Sequence, residues 1–190
     1  MQTLPAKVIS HLFHPLLMPT YGLAIMFSQV NAYFIFGVPE LSRGFILGLV
    51  FINTYLIPGL FLLYLYKKGK VSDLEVTKRE ERFLPLVLTT LLFMSTYYLL
   101  KSIGLNRVIL IMMTTGIVAV ILAFIINLKW KISMHLVGLG GLAGIFYALA
   151  LLFQLNLNTT LIALFLISGV TATARMQLKQ HSLAQTLAGF

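Results

Sequence analysis

The residues that could do chemistry lie in the last third of the chain. An apolar segment ends at Arg175, five residues intervene before His181, and three more separate His181 from Gln185. His135 opens the preceding apolar segment, two residues after Ser133 and four after Lys131. Segments five and six form a hairpin, so their ends at 135 and 175 fall on one membrane face and can be neighbours. Two imidazoles beside guanidinium and ammonium groups suit phosphoryl transfer. One imidazole attacks phosphorus, the other protonates the leaving oxygen, and the cations stabilise charge on the equatorial oxygens. After Glu81 the chain contains no Asp or Glu. That excludes an intramembrane aspartyl pair, carboxylate-bridged metal sites near the last four spans, and carboxylate proton relays there.

The elements that must hold these groups are membrane spans. The 190 residues are 59% hydrophobic and 10% charged, with mean hydropathy +0.94. A soluble domain cannot bury that much apolar surface, so the composition predicts an all-α, polytopic membrane bundle in one domain, 1–190. Six apolar runs are long enough to cross a bilayer: 11–30, 44–66, 83–100, 108–128, 135–155 and 159–174. A short helical piece follows, opened by His181, and reaches about half a span at Phe190, as in a chain cut short. One Lys precedes the first run and no small-residue cleavage site follows it, which predicts a retained span rather than a signal peptide. His14-Pro15, Pro19 and Pro58-Gly59 predict kinks. Gly140-x-x-x-Gly144 and Ser168-Gly169 predict close helix packing. His11 and His14, three apart, share a helix face and read as packing or interface residues rather than metal ligands.

With six spans, eleven of the fourteen Lys and Arg fall on the face bearing the N-terminus, the 67–82 loop, the 129–135 loop and the C-terminal piece. The positive-inside rule makes that face cytoplasmic. Setting aside the candidate phosphate ligands 78, 79, 82, 131, 175 and 179 leaves five against three, so the facing of the site stays open. A net charge of +9 suits phosphate-bearing partners or anionic headgroups as well as topology. There is no cysteine, which excludes disulfides and thiolate metal sites.

Three segments together resemble the type-2 phosphatidic acid phosphatase superfamily, whose motifs read K-x6-R-P, P-S-G-H and S-R-x5-H-x3-D. Residues 174–185 resemble the third motif and residues 131–135 the second. Residues 78–85, Lys-Arg-Glu-Glu-Arg-Phe-Leu-Pro, resemble a worn first. The resemblance implies a nucleophilic His181 forming a phosphohistidine, His135 as general acid, and phosphate held by Arg175, Ser133, Lys131, Lys78 and Arg82. Gln185 stands at the position of the family's Asp; its oxygen can orient the imidazole but cannot charge it. Ile132 and Met134 replace the family's Pro and Gly, and Arg82 lies two residues early for the first motif. The implied substrate is a lipid phosphate or isoprenoid diphosphate reached from the bilayer of a bacterial cytoplasmic membrane, without cofactor, metal or nucleic acid. Two rival readings are a bundle that binds or transports lipid phosphate without hydrolysing it, and a small metal transporter using the four histidines.

Overall fold

The computed structural model describes residues 4–28 and 37–190. Among these residues the chain is all-helical, with no strand. Six helical runs are long and apolar enough to cross a membrane: Leu4–Ser28, Glu40–Lys67, Glu80–Ser102, Arg107–Asn127, Met134–Phe153 and Asn158–Gln177. Large apolar side chains stand on their outer surfaces, Leu152 and Phe165 among them. In water this surface would be a liability; in lipid it is solvated. The chain is an integral, multi-pass membrane protein.

The fold gathers into two compact units, Met1–Met18 with Ile125–Phe190, and Pro19–Phe124. The first contains α1 (Leu4–Leu12), a 3₁₀ turn (Pro15–Leu17), α7 (Met134–Phe153), α8 (Asn158–Gln177) and the short α9 (Leu183–Leu187). The second contains most of α2 (Met18–Ser28), with α3 (Glu40–Phe51), α4 (Ile57–Lys67), α5 (Phe83–Ser102) and most of α6 (Arg107–Asn127).

In the first unit, α7 buries Leu136, Leu139, Ala143, Phe146 and Leu149, a stripe at helical spacing. α8 answers with Leu164, Ser168, Thr171, Ala174 and Arg175. α1 packs along α8 through Ala6 against Ala174 and Leu178, with Ile9 beside them. The first span starts at Leu4 rather than near 11, and the expected kink is a full break. His14 has extended backbone (φ −64°, ψ 134°), and Pro15 starts the 3₁₀ turn. Proline disfavours helical geometry in the residue before it, so α1 ends where it does. The far end of the expected first span, 29–30, lies outside the described residues.

The glycine pattern packs differently from the expected seam. A Cβ on Gly138 would come within 2.6 Å of Met18 Cγ, and one on Gly140 would run into the Phe190 carbonyl. Gly141, Gly144 and Gly169 meet nothing within 4 Å. The glycines of α7 thus admit a turn and a C-terminal tail, not a second helix. Ser168 is buried but bonds back to the Leu164 carbonyl at 2.7 Å.

In the second unit, the expected kink at Pro58 takes the form of a π turn, Ile52–Leu56. Proline clashes with the carbonyl four residues back, and widening the preceding turn relieves it. The 67–82 loop folds on its own acids. Glu81 accepts from the Ser72 amide (2.7 Å) and hydroxyl (2.9 Å), and Asp73 accepts from Thr77. The cations expected as phosphate ligands are engaged there: Lys78 pairs with Glu81 at 3.4 Å, and buried Arg82 donates Nε–H to the Val76 carbonyl at 2.9 Å.

Candidate functional site

The site grows from the contact of two small residues. Ala6 and Ala174 let α1 and α8 approach closely. One turn further along α1 stands Ser10, and next to Ala174 stands Arg175. The result is a hydrogen bond from Arg175 Nη1 to Ser10 Oγ at 3.3 Å, with Arg175 only 2% exposed. Ser10 also serves the third helix: His135 Nε2 lies 3.1 Å from the Ser10 carbonyl. A carbonyl oxygen only accepts, so Nε2 carries a proton and donates it.

The 3₁₀ turn brings in a residue that sequence reasoning had set aside as packing. Because Gly138 has no side chain, the turn lies close over α7 one turn beyond His135. This seats the His14 ring edge-on to the His135 ring, with centroids 5.7 Å apart and planes at 76°. His14 Nδ1 accepts the Leu16 amide proton at 3.3 Å and so caps the turn. An accepting Nδ1 places the proton of the neutral ring on Nε2. The signal was present in the sequence: a His directly before a Pro sits at a helix boundary, where its side chain faces cap donors.

The C-terminal side closes the site. The expected helix begins after His181, not at it, because Ser182 is the cap of α9. Ser182 Oγ accepts from the Gln185 amide at 3.3 Å, while Gln185 Oε1 accepts from the Ser182 amide at 3.1 Å. This reciprocal box fixes which end of the Gln185 side chain is oxygen, since a backbone N–H can only donate. The same Oε1 lies 3.2 Å from His181 Nδ1. His181 therefore carries its proton on Nδ1 and turns the lone pair of Nε2 the other way. A backbone bond from Ser133 N–H to the Gln185 carbonyl, 3.3 Å, ties the start of α7 to α9.

The groups converge. Ser10 links Arg175, through its hydroxyl, to His135, through its carbonyl, and Gln185 links His181, through Oε1, to Ser133, through its carbonyl. His181 and His135 are nearly buried, at 7% and 8% exposed, and His14 is half-buried. Ser133 is fully buried, and its hydroxyl has no hydrogen-bond partner. Buried hydroxyls are normally held by protein, water or ligand. Lys131 is half-buried just before α7. Lys78 and Arg82 belong to the other compact unit.

His11 is exposed, with Nδ1 2.8 Å from the Lys7 carbonyl. Among the described residues no three metal-ligating side chains are placed to hold an ion, so the four-histidine metal site has no geometric support. No family model matches the chain, and no curated protein or solved structure matches it.

Proposed function

We propose that the protein is a membrane-embedded phosphatase of lipid phosphates or isoprenoid diphosphates, related to the type-2 phosphatidic acid phosphatases. What supports this reading is that buried Arg175 and His135 share Ser10, while Gln185 joins buried His181 to the start of the helix that carries His135. His181 attacks phosphorus through Nε2, because Gln185 holds the proton on Nδ1. His135 keeps Nε2–H on the Ser10 carbonyl, and its Nδ1 takes the proton of the bound phosphate monoanion and passes it to the leaving oxygen. The P–O bond breaks as the N–P bond forms. Water then attacks phosphorus, neutral His135 Nδ1 takes its proton, and phosphate leaves His181. Arg175 and the Ser133 hydroxyl donate to the phosphoryl oxygens. A bacterial inner membrane is the proposed setting, since helical spans rather than a barrel carry the chain.

The second reading is a protein that binds lipid phosphate without turnover. It is favoured by the neutral Gln185 and by Ser10, which already engages both Arg175 Nη1 and His135 Nε2. Phosphate release from short-chain phosphatidate and farnesyl diphosphate in detergent separates the two. Release by the wild type that His181→Ala abolishes supports the enzyme. No release, with binding weakened in Arg175→Ala, leaves the binder.

A further inference from the structure

The loop between α4 and α5 sorts its charges. Residues 67–82 hold six Lys and Arg and four Asp and Glu. The acids are turned to the loop's own use. Glu81 accepts from the Ser72 amide and hydroxyl and pairs with Lys78, Asp73 accepts from the Thr77 amide and hydroxyl, and Glu80 pairs with Arg79 at 3.4 Å. Glu75 is half-buried. Val71 and Val76 pack with Leu65, and Phe61 and Leu62 lie beside them, so the loop folds as a cap on the end of α4.

What remains outside is cationic. Lys67, Lys68 and Lys70 are exposed, and among the described residues none of the three forms an ion pair. A turn closed at Gly69 holds their backbone. Gly69 has φ +67°, its amide donates to the Tyr66 carbonyl at 3.0 Å, and the Lys70 amide donates to the Leu65 carbonyl at 2.9 Å. This glycine-capped helix end keeps three ammonium groups on one turn of chain. Like charges that close repel one another, and a shared anion relieves the repulsion.

The depth of the turn identifies the anion. It begins where the span Glu40–Lys67 ends. Tyr64 and Tyr66 stand exposed just before it, at 55% and 47%, and Lys68 Nζ lies 5.9 Å from the centre of the Tyr64 ring. Tyrosine at the end of a span sits at headgroup level, its ring against lipid and its hydroxyl in the polar layer. The three lysines therefore leave the span at the height of the lipid phosphates. A soluble anion gains nothing from the tyrosines. A phospholipid meets both groups, its phosphate at the lysines and its upper acyl chain at the rings.

We infer that Lys67, Lys68 and Lys70, with Tyr64 and Tyr66, form a docking surface for the headgroups of anionic phospholipids. The surface lies wholly within the unit Pro19–Phe124, and it stands whether or not the phosphatase reading does. A zwitterionic lipid is held less well, because its own ammonium group opposes the lysines.

Native mass spectrometry of the full chain, released from micelles carrying phosphatidylglycerol or phosphatidylcholine, tests this. Four forms are compared: wild type, Lys67→Gln with Lys70→Gln, Lys67→Arg with Lys70→Arg, and Lys101→Gln with Arg107→Gln. The last pair removes the same charge from a different exposed loop. The wild type should retain phosphatidylglycerol in preference to phosphatidylcholine. One basic residue at the membrane surface is worth about fivefold in affinity, so the glutamine pair at 67 and 70 should weaken phosphatidylglycerol binding about 25-fold. The arginine pair and the pair at 101 and 107 should bind as the wild type does, and excess inorganic phosphate should not displace the lipid. Equal retention of the two lipids, or no loss in the glutamine pair at 67 and 70, overturns the inference. So does an equal loss at 101 and 107, which would reflect net charge alone, or an equal loss in the arginine pair, which would reflect the fold of the turn. Displacement by inorganic phosphate overturns it as well, since the site would then be one for a soluble anion.

Discussion

On the proposed phosphatase reading, neutral Gln185 does part of a carboxylate's work beside His181. In a His–carboxylate pair, replacing the acid with an amide costs ~10⁴ in rate, chiefly because the amide can select the wrong tautomer. Here the capping box aims the amide oxygen at His181, so the tautomer is right. What is missing is charge opposite the imidazole. Glu fits the same box as well as Gln does. Gln185→Glu should therefore fold normally and raise kcat about 10- to 100-fold, as expected when a neutral hydrogen bond becomes a charge-assisted one. Steady-state phosphate release checks this; a fall in kcat would mean that Gln185 does not face the nucleophile. The spacing Arg175, His181, Gln185 was legible in the sequence. The tautomers were not, because each depends on the acceptor or donor that the fold supplies.

At the scale of elements, the spans were legible because apolar length is a coarse property. Their observed ends fall within a few residues of the expected ones, except at the N-terminus. There α1 begins at Leu4, because the polar residues Lys7, Ser10 and His11 sit on a helix whose apolar face is short. Partners were harder to read. Gly140-x-x-x-Gly144 has the spacing of a helix seam, but spacing does not say what approaches it. A turn and the tail do so instead, at Gly138 and Gly140. The consequence is a paired prediction. Gly138→Ala should destabilise the protein by about 1–3 kcal/mol, the usual cost of overpacking, and should push the His14 turn off α7. Gly144→Ala should be neutral or stabilise by up to ~1 kcal/mol, since alanine is the better helix former. Thermal unfolding in detergent compares them. Equal losses in both would restore the helix seam that the sequence suggested.

For the whole molecule, six spans require each connecting loop to change side. The chain has no cysteine, so single cysteines can be introduced without background labelling. Lys70→Cys and Lys101→Cys should react with an impermeant maleimide from opposite sides of the membrane, and so should Lys129→Cys and Asn156→Cys. Either pair labelled from one side would remove a span. That test bears on the frame alone, since a bundle of this composition could serve many purposes. The site tests the rest, because its three groups come from 135, 175 and 181 and meet only if α7 and α8 form the hairpin described. The most direct measurement is a rapid acid-free quench of purified protein with farnesyl diphosphate labelled in the terminal phosphate. An acid-labile, base-stable phosphoryl label is expected on the peptide containing His181 and absent in His181→Ala. Phosphate release at an undiminished rate by His181→Ala, or a label on any other residue, would contradict it.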